Sequence, residues 1–266
     1  MSTYAPSGAR HWAAAPPVAA ARPGVPGTDA AFFDLDNTIV RGASMFHLAR
    51  GMYRRKCFTG RDLAGFAFKQ ARFRVAGRED IGEIACATDR ALAFVRGLRQ
   101  ADVVATGAQI YDEVLRHKLW AGSVELAERH LAAGHRVWLV TAAPVELASL
   151  VADRLGLTGG LGTTAEVVDG VYTGRLVGTA LHGPAKADAV RELAAREGID
   201  LSACAAYSDS SHDLPLLTAV GHPCAVNPDR RLAEHARRHG WASTDFRASR
   251  KLGRLGGSRL VRQRAA

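Results

Sequence analysis

Short apolar runs that stop at polar residues alternate with stretches of helical periodicity along most of the chain. The run at 30–33 ends at Asp34, and similar runs lead to Thr141 and Asp209. Such runs are typical of strands buried on both faces of a parallel sheet. Apolar residues at helical spacing follow at 123–134, 145–157 and 184–198. The alternation predicts an α/β fold with a doubly wound, mostly parallel, Rossmann-like sheet, whose ligands bind beyond the carboxyl ends of the strands.

The stretch from 44 to 120 differs, because its apolar residues recur only at helical spacing. It predicts an insertion of about four helices, whereas Asp169-Gly170 between two apolar runs predicts a β-hairpin turn. The predicted organisation has four parts. Residues 1–28 are a disordered segment, and residues 29–42 plus 121–246 form the core. Residues 43–120 form a helical insertion, and residues 247–266 form a basic tail.

The composition argues against a membrane-spanning, secreted or disulfide-rich protein. Of the 266 residues 47% are hydrophobic, and no apolar run approaches the ~20 residues that a membrane span needs. The N-terminal Ala/Pro-rich stretch has no continuous apolar region of the kind found in signal peptides, so a cytoplasmic location is expected. The four cysteines form no CxxC pair, which argues against a zinc site or a disulfide framework.

The net charge of +9 is unevenly distributed. From Arg247 to the end, seven basic residues occur without an acidic one. Such a segment can make weak contact with an anionic surface or remain solvated. Specific nucleic-acid binding is not expected, because no aromatic residues interleave with the arginines as base-stacking platforms.

Carboxylates at the predicted strand ends suit phosphoryl transfer through an enzyme carboxylate. Asp34 is the candidate nucleophile, and Asp36, two residues on, lies on the same face of an extended strand end as the acid/base partner. A hard cation must separate the nucleophile from the phosphate dianion, and oxygen ligands suit Mg²⁺. The candidate metal residues are Asp34, Asp36 and Asp209.

Donors must also hold the non-bridging phosphate oxygens. The hydroxyl of Thr141 and the ammonium of Lys186 are the candidates, with neighbouring backbone amides. Asp213, four residues after Asp209, is the candidate to orient the metal's waters or Lys186. The expected partner is a small phosphorylated substrate.

Four motifs follow one another along the chain: DLDNT, LVTAA, Lys186 ahead of a helix, and YSDSSHDLPLL. In this order they resemble the motifs of the haloacid dehalogenase superfamily. The helical insertion resembles the cap of the phosphoserine phosphatase-like branch of that superfamily. The resemblance implies a phosphoaspartyl intermediate on Asp34 and a backbone carbonyl from Asp36 to Mg²⁺. It also implies that Asn37 forms the loop and that Thr38 supports it by hydrogen bonding.

Other functions share parts of this pattern. Phosphoserine phosphatases typically have a glutamate nine residues after the nucleophile, where this chain has Ala43, and their GGMDF cap signature has no counterpart here. The preferred substrate is therefore a small phosphorylated metabolite, with phosphoserine as an alternative. A low-turnover regulatory or binding protein on the same fold is the second alternative.

Overall fold

The computed structural model describes residues 30–55, 92 and 95–247. The predicted disordered segment, much of the middle of the predicted helical insertion, and the basic tail beyond Arg247 lie outside the described residues. The division into core, insertion and tail therefore remains a prediction.

Six of the eight described strands form one sheet with the order β3-β2-β1-β6-β7-β8, and every neighbouring pair is parallel. The other two, β4 and β5, form a separate antiparallel hairpin. The strands are β1 Ala30–Phe33, β2 Arg136–Pro144, β3 Gly159–Thr163, β4 Ala165–Val168, β5 Val171–Leu176, β6 Ala205–Ser208, β7 His222–Val226 and β8 Ala242–Thr244. This topology confirms the predicted fold class.

Helices cover both faces of the sheet. They are α1 Ser44–Arg54, α2 Gln100–Glu113, α3 Ala121–Ala132, α4 Val145–Arg154, α5 Pro184–Glu197, α6 Leu214–Leu217 and α7 Arg230–His239. Successive residues of β1 point to opposite faces: Phe33 packs in a core with residues of α1 to α4, and Phe32 in a core with residues of α5 to α7. Burial on both faces explains why the strands are continuous apolar runs. No helix in the described ranges is long and apolar enough to cross a membrane.

The links into and out of the 43–120 segment run side by side. Val40 pairs antiparallel with Leu119, and the Trp120 N–H donates to the Ile39 carbonyl at 2.8 Å. The Arg41 guanidinium lies over the Trp120 ring, 5.6 Å from its centroid. The segment is therefore attached directly beside the loop that follows Asp34.

The predicted hairpin is confirmed, with Asp169 and Gly170 both at positive φ (50° and 78°). Its second strand also pairs with the chain just before α2, through an antiparallel bridge between Arg99 and Val171. The hairpin therefore connects the core to the stretch of the insertion that lies just before α2.

Sequence analysis did not predict two strands, β3 and β8, and the residues of β3 explain why. Its sequence, GGLGT, lacks the β-branched and aromatic residues that mark strands. A Cβ at Gly160 would lie 2.6 Å from the Ala148 carbonyl carbon, and one at Gly162 would lie 2.6 Å from the Val145 Cα. Close packing of α4 on this edge strand therefore requires glycine where the strand pattern would call for a side chain. The other missed strand, β8, has only three residues.

We expect Gly160→Ala to lower the free energy of unfolding by about 1–3 kcal/mol, because the added methyl group collides with the α4 backbone. Gly107→Ala is the matched control. Gly107 lies inside α2, and its Cβ would meet only a Leu150 methyl group at 3.9 Å, so this change should raise stability by up to about 1 kcal/mol. Urea unfolding of the three proteins measures both effects, and equal stability of the two variants would contradict the packing argument.

Candidate active site

The predicted site residues meet at the carboxyl edge of the sheet. Strand β1 lies between β2 and β6, so the residues that end these strands are neighbours. Asp34 follows β1, its N–H donates to the Tyr207 carbonyl at 2.9 Å, and Asp209 comes two residues after Tyr207. Thr141 lies in the carboxyl half of β2. Three stretches of chain far apart in sequence therefore deliver polar groups to one place.

A buried ion network joins two of these stretches to helix α5. The Lys186 ammonium donates to Asp34 Oδ1 at 2.5 Å and to Asp213 Oδ2 at 2.8 Å, and the Ser208 hydroxyl donates to the same Asp213 oxygen at 2.7 Å. Asp34, Lys186 and Asp213 are each 5% exposed or less. Lys186 lies in the first turn of α5, where a cation opposes the helix dipole, so the two carboxylates compensate for its position.

The network perturbs the protonation of its members. Burial lowers the pKa of Lys186, but the charges of Asp34 and Asp213 outweigh it, so the pKa stands above its ordinary value. Burial, together with the charges of Asp213 and Asp36, raises the pKa of Asp34 to about 8 despite the opposing effect of Lys186. Burial and the charge of Asp213 raise the pKa of Asp209 to about 7. The site has more carboxylates than its single lysine neutralises.

Asp36 is held apart from this network. It is partly exposed, and its Oδ1 accepts a hydrogen bond at 2.9 Å from the backbone N–H of Ser44, the first residue of α1. Asn37 adopts a positive φ of 57°, and its side chain accepts from the Gly42 N–H at 3.0 Å, as befits a loop-former. The carboxylate of Asp36 is thereby fixed beside the start of α1.

Thr141 and Thr38 differ in what their hydroxyls do. Thr141 is buried, and its oxygen accepts from the Ala143 N–H at 3.1 Å, which leaves the hydroxyl proton to donate to a ligand. Thr38 is also buried, and its hydroxyl has no hydrogen-bond partner among the described residues, so its supporting role stays a prediction. The loop is held instead by backbone hydrogen bonds from Ile39 and Val40 to the Leu35 carbonyl.

Sequence analysis missed two residues that shape the site. Buried Ser208 orients Asp213 through its hydroxyl. Asn227, also buried, donates to the Asn37 carbonyl at 2.8 Å and accepts from the Phe246 N–H at 2.7 Å. Asn227 directly follows an apolar strand, as Asp34 does, and this position in the sequence could have identified it as a site residue.

His212 lies in the variable part of the last motif. It is exposed, its Nδ1 lies 3.1 Å from the Ser210 hydroxyl, and its ring lies 5.1 Å from that of His182. Among the described residues it forms no hydrogen bond with Asp34 or Lys186, so it lies outside the carboxylate–lysine network.

The donor set can hold a hard cation. Among the described residues, no group of three or more His, Cys, Asp or Glu side chains has metal-binding geometry. The side chains of Asp34 and Asp209 are two oxygen donors, and Mg²⁺ in proteins usually takes one or two carboxylates with backbone oxygens and waters. Burial, together with neighbouring carboxylates, raises the pKa of both side chains, and a bound divalent cation would favour their charged forms. The residues present therefore fit the group.

Known proteins resemble this chain in sequence and in fold. The phosphoserine phosphatase SerB1 of Mycobacterium tuberculosis (strain H37Rv) is 52% identical over 244 residues, which cover 90% of this chain and 79% of that protein. A solved structure from Bordetella pertussis Tohama I, described as a protein of unknown function, is 29% identical with a TM-score of 0.71 and covers 82% of this chain and 99% of that one. A phosphoserine phosphatase in apo form shares the fold, with 20% identity and a TM-score of 0.55 over 78% of this chain and 90% of that one.

A family model described as haloacid dehalogenase-like hydrolase matches residues 31–218, the stretch that contains the whole ion network. Together with the relative named as a phosphatase, it confirms the predicted resemblance and the prediction of a phosphatase. The chain belongs to the haloacid dehalogenase-like hydrolase family.

Proposed function

We propose that the protein is a Mg²⁺-dependent phosphomonoester hydrolase that acts on a small phosphorylated metabolite through a phosphoaspartyl intermediate on Asp34. The observation that carries this proposal is the buried contact of Asp34 with Lys186, at the strand edge where Asp209 and Thr141 also lie.

In the first step, the free oxygen of Asp34 attacks phosphorus in line with the leaving group. Asp34 Oδ1 is held by Lys186 at 2.5 Å, so the rotation of the carboxylate is restricted and Oδ2 is the oxygen left for attack. A bond forms between Asp34 and phosphorus as the bond to the alcohol oxygen breaks. Positioning of this kind supplies much of the rate enhancement in phosphoryl transfer.

Asp36 completes both half-reactions. Its carboxyl group protonates the departing alcohol oxygen, and the resulting carboxylate then takes a proton from the water that attacks the phosphoaspartyl group. The hydrogen bond from the Ser44 N–H to Asp36 Oδ1 orients this side chain and leaves Oδ2 for proton transfer. Because this bond comes from α1, the orientation of the acid depends on the placement of the insertion.

Negative charge on the phosphoryl group needs fixed donors. The Thr141 hydroxyl proton and the Lys186 ammonium can donate to non-bridging oxygens. Mg²⁺ would be held by the carboxylates of Asp34 and Asp209 and the backbone carbonyl of Asp36, and when bound it offsets the repulsion between the phosphate and Asp34. Asp213 holds Lys186 in place through the 2.8 Å contact.

Two observations bear on the identity of the substrate. The name of the mycobacterial relative supports phosphoserine as an alternative. Ala43, immediately before α1, provides no carboxylate to hold a substrate amine, and this favours another small phosphorylated metabolite. A panel of phosphorylated metabolites that includes phosphoserine separates these options.

The direct test of the proposed function is hydrolysis of para-nitrophenyl phosphate. We expect turnover with Mg²⁺, loss of turnover with a chelator, and loss of turnover in Asp34→Asn, because an amide cannot form the phosphoaspartyl bond. Acid quenching during turnover should trap phosphate on the wild-type protein and not on this variant. Substantial hydrolysis by Asp34→Asn would reject the proposal, and absence of hydrolysis by the wild-type protein would favour the low-turnover binding alternative.

Asp36→Asn should bind Mg²⁺ and phosphate as the wild-type protein does but lower kcat by about 10²-fold or more, because general acid–base catalysis contributes about 10²–10⁴-fold. The amide oxygen can still accept from the Ser44 N–H, so the loop should keep its conformation. Measurement of kcat alongside inhibition by inorganic phosphate separates the two effects. Wild-type kcat in this variant would remove Asp36 from the chemistry.

Lys186→Met should lower both activity and stability, because it leaves Asp34 and Asp213 buried without a cation. Removal of one partner of a buried ion pair costs about 3–5 kcal/mol of unfolding free energy. Adding Asp213→Asn should restore part of that stability but not the activity, since it removes one buried charge without replacing the phosphate donor.

The matched control for the two Lys186→Met variants is Arg191→Met on the same helix. The Arg191 side chain is 54% exposed and is paired with Asp188. It should change stability by less than about 1 kcal/mol. Urea unfolding in metal-free buffer, with kinetics in parallel, measures all four proteins. A Lys186→Met variant as stable as the Arg191→Met control would show that the network does not stabilise the fold.

A further inference from the structure

The turn that follows β7 lies beside the loop that follows β6. Strand β7 pairs in parallel with β6 up to the last residue of β6. The residues after the two strands are therefore neighbours, and Asp209 is the first of them on the β6 side. On the β7 side they are Asn227, Pro228 and Asp229, which we call the 227–229 turn. Helix α7 begins directly after this turn, at Arg230.

Asp229 holds the loop after β6 through two hydrogen bonds. Its N–H donates to the Asp209 carbonyl at 2.7 Å, and its Oδ2 accepts from the Ser211 N–H at 2.7 Å. This carbonyl and this N–H belong to successive peptide groups on the carboxyl side of Asp209. The backbone that carries the Asp209 side chain is therefore fixed by a residue outside its own loop.

The same carboxylate also caps helix α7. Asp229 is the N-cap residue of this helix, and its Oδ1 accepts from the Leu232 N–H at 2.7 Å. Aspartate is favoured at this position because its side chain satisfies a backbone donor of the first turn. The oxygen that caps α7 differs from the oxygen that holds Ser211, so a substitution can separate the two contacts.

The rest of the 227–229 turn reaches the loop after Asp34. Asn227 is buried and has a positive φ of 50°, and its side-chain amide donates to the Asn37 carbonyl at 2.8 Å. The Asn37 side chain is itself hydrogen-bonded to Asp209. One short turn therefore contacts both loops whose carboxylates, Asp34 and Asp209, have to converge on a cation.

We propose that Asp229 is a positioning residue for the metal site, which sets the place of the Asp209 carboxylate for a hard divalent cation. This inference deepens the proposed function and rests on its assignment of Asp209 as a metal ligand. Each oxygen of Asp229 already accepts a backbone N–H, so we assign it to positioning and not to ligation. Residues that orient the ligands of a metal commonly contribute about 10–100-fold to its affinity.

Capping of α7 alone accounts for only part of this geometry. A cap needs the contact between Asp229 and the Leu232 N–H. It does not need the Asp229 N–H to meet the Asp209 carbonyl, or the second carboxylate oxygen to meet Ser211. These two additional contacts are both made to the loop that carries the candidate metal ligand, and they carry the proposal.

Binding of Mn²⁺ to the metal-free, full-length protein tests the inference in the absence of substrate. Mn²⁺ suits the same oxygen ligands as Mg²⁺, and electron paramagnetic resonance measures its free concentration. Asp229→Ser should bind Mn²⁺ about 10–100-fold more weakly than the wild type, because one shorter oxygen cannot both cap α7 and hold Ser211. Serine is also a favoured N-cap residue, so the urea midpoint should stay near the wild-type value. Wild-type affinity for Mn²⁺ in this variant would overturn the inference.

The matched control is Asp200→Ser. Asp200 is the N-cap of the 3₁₀ turn Leu201–Ala203, and its Oδ1 accepts from the Ser202 N–H at 2.9 Å. It precedes the amino end of β6, whereas Asp209 follows the carboxyl end. The control removes the same charge from the same kind of position and should bind Mn²⁺ as the wild type does. An equal loss in both variants would show that the place of the aspartate does not matter, and would overturn the proposed role.

Asp229→Glu separates position from charge at the same residue. It keeps the negative charge but moves the carboxylate by one methylene group, so it should weaken Mn²⁺ binding as well. Wild-type affinity in Asp229→Glu, beside a loss in Asp229→Ser, would show that the charge acts without the contacts. That result would also overturn the positioning role.

Kinetics supply a second readout. In Asp229→Ser the Mg²⁺ concentration for half-maximal turnover should rise by the same factor as the Kd for Mn²⁺, whereas kcat at saturating Mg²⁺ should change little. A lower kcat with unchanged metal affinity would contradict the inference. A wild-type protein that binds Mn²⁺ but hydrolyses no phosphomonoester would reject the proposed hydrolysis and leave the binding comparison in force. A wild-type protein that binds no Mn²⁺ would overturn the inference itself.

Discussion

The structure depends above all on one buried cation shared by two carboxylates. Lys186 comes from α5, Asp34 from the end of β1 and Asp213 from the turn after β6, and the three side chains are almost completely removed from solvent. A charge in such a place is tolerated only when it is paired, so each residue makes the burial of the others possible. Asp36 and Asp209 add further carboxylates beside this network, and such an excess of negative charge favours binding of a divalent cation.

The sheet delivers these groups because its central strands are short, parallel and buried on both faces. Adjacent strands in register end at the same edge, so residues that follow β1 and β6 become neighbours although they are 175 positions apart. The loop after Asp34 also carries the attachment of the insertion, and the Ser44 N–H connects α1 to Asp36. Asp36 is therefore coupled to the predicted insertion, whereas Asp34 is coupled to the core through Lys186.

The C-terminal segment adds a third element to this arrangement. Asn227 bridges the loop after Asp34 and the backbone of Phe246, so these two distant stretches of chain share one buried amide. The family model ends at residue 218, before α7. The carboxylate–lysine network lies within the part of the chain that the family model matches, and Asn227 lies beyond it.

The sequence by itself determined the fold class, the order of the strands that carry chemistry, and Asp34, Asp36, Thr141, Lys186, Asp209 and Asp213 as candidates. It could do so because apolar runs and the polar residues that end them are local features. It did not reveal β3, where contact with α4 replaces strand-forming residues with glycine, or the roles of Ser208 and Asn227, which depend on partners distant along the chain. Only the tertiary structure decided which carboxylates share the lysine, because burial and partner geometry arise when separate stretches of chain pack together.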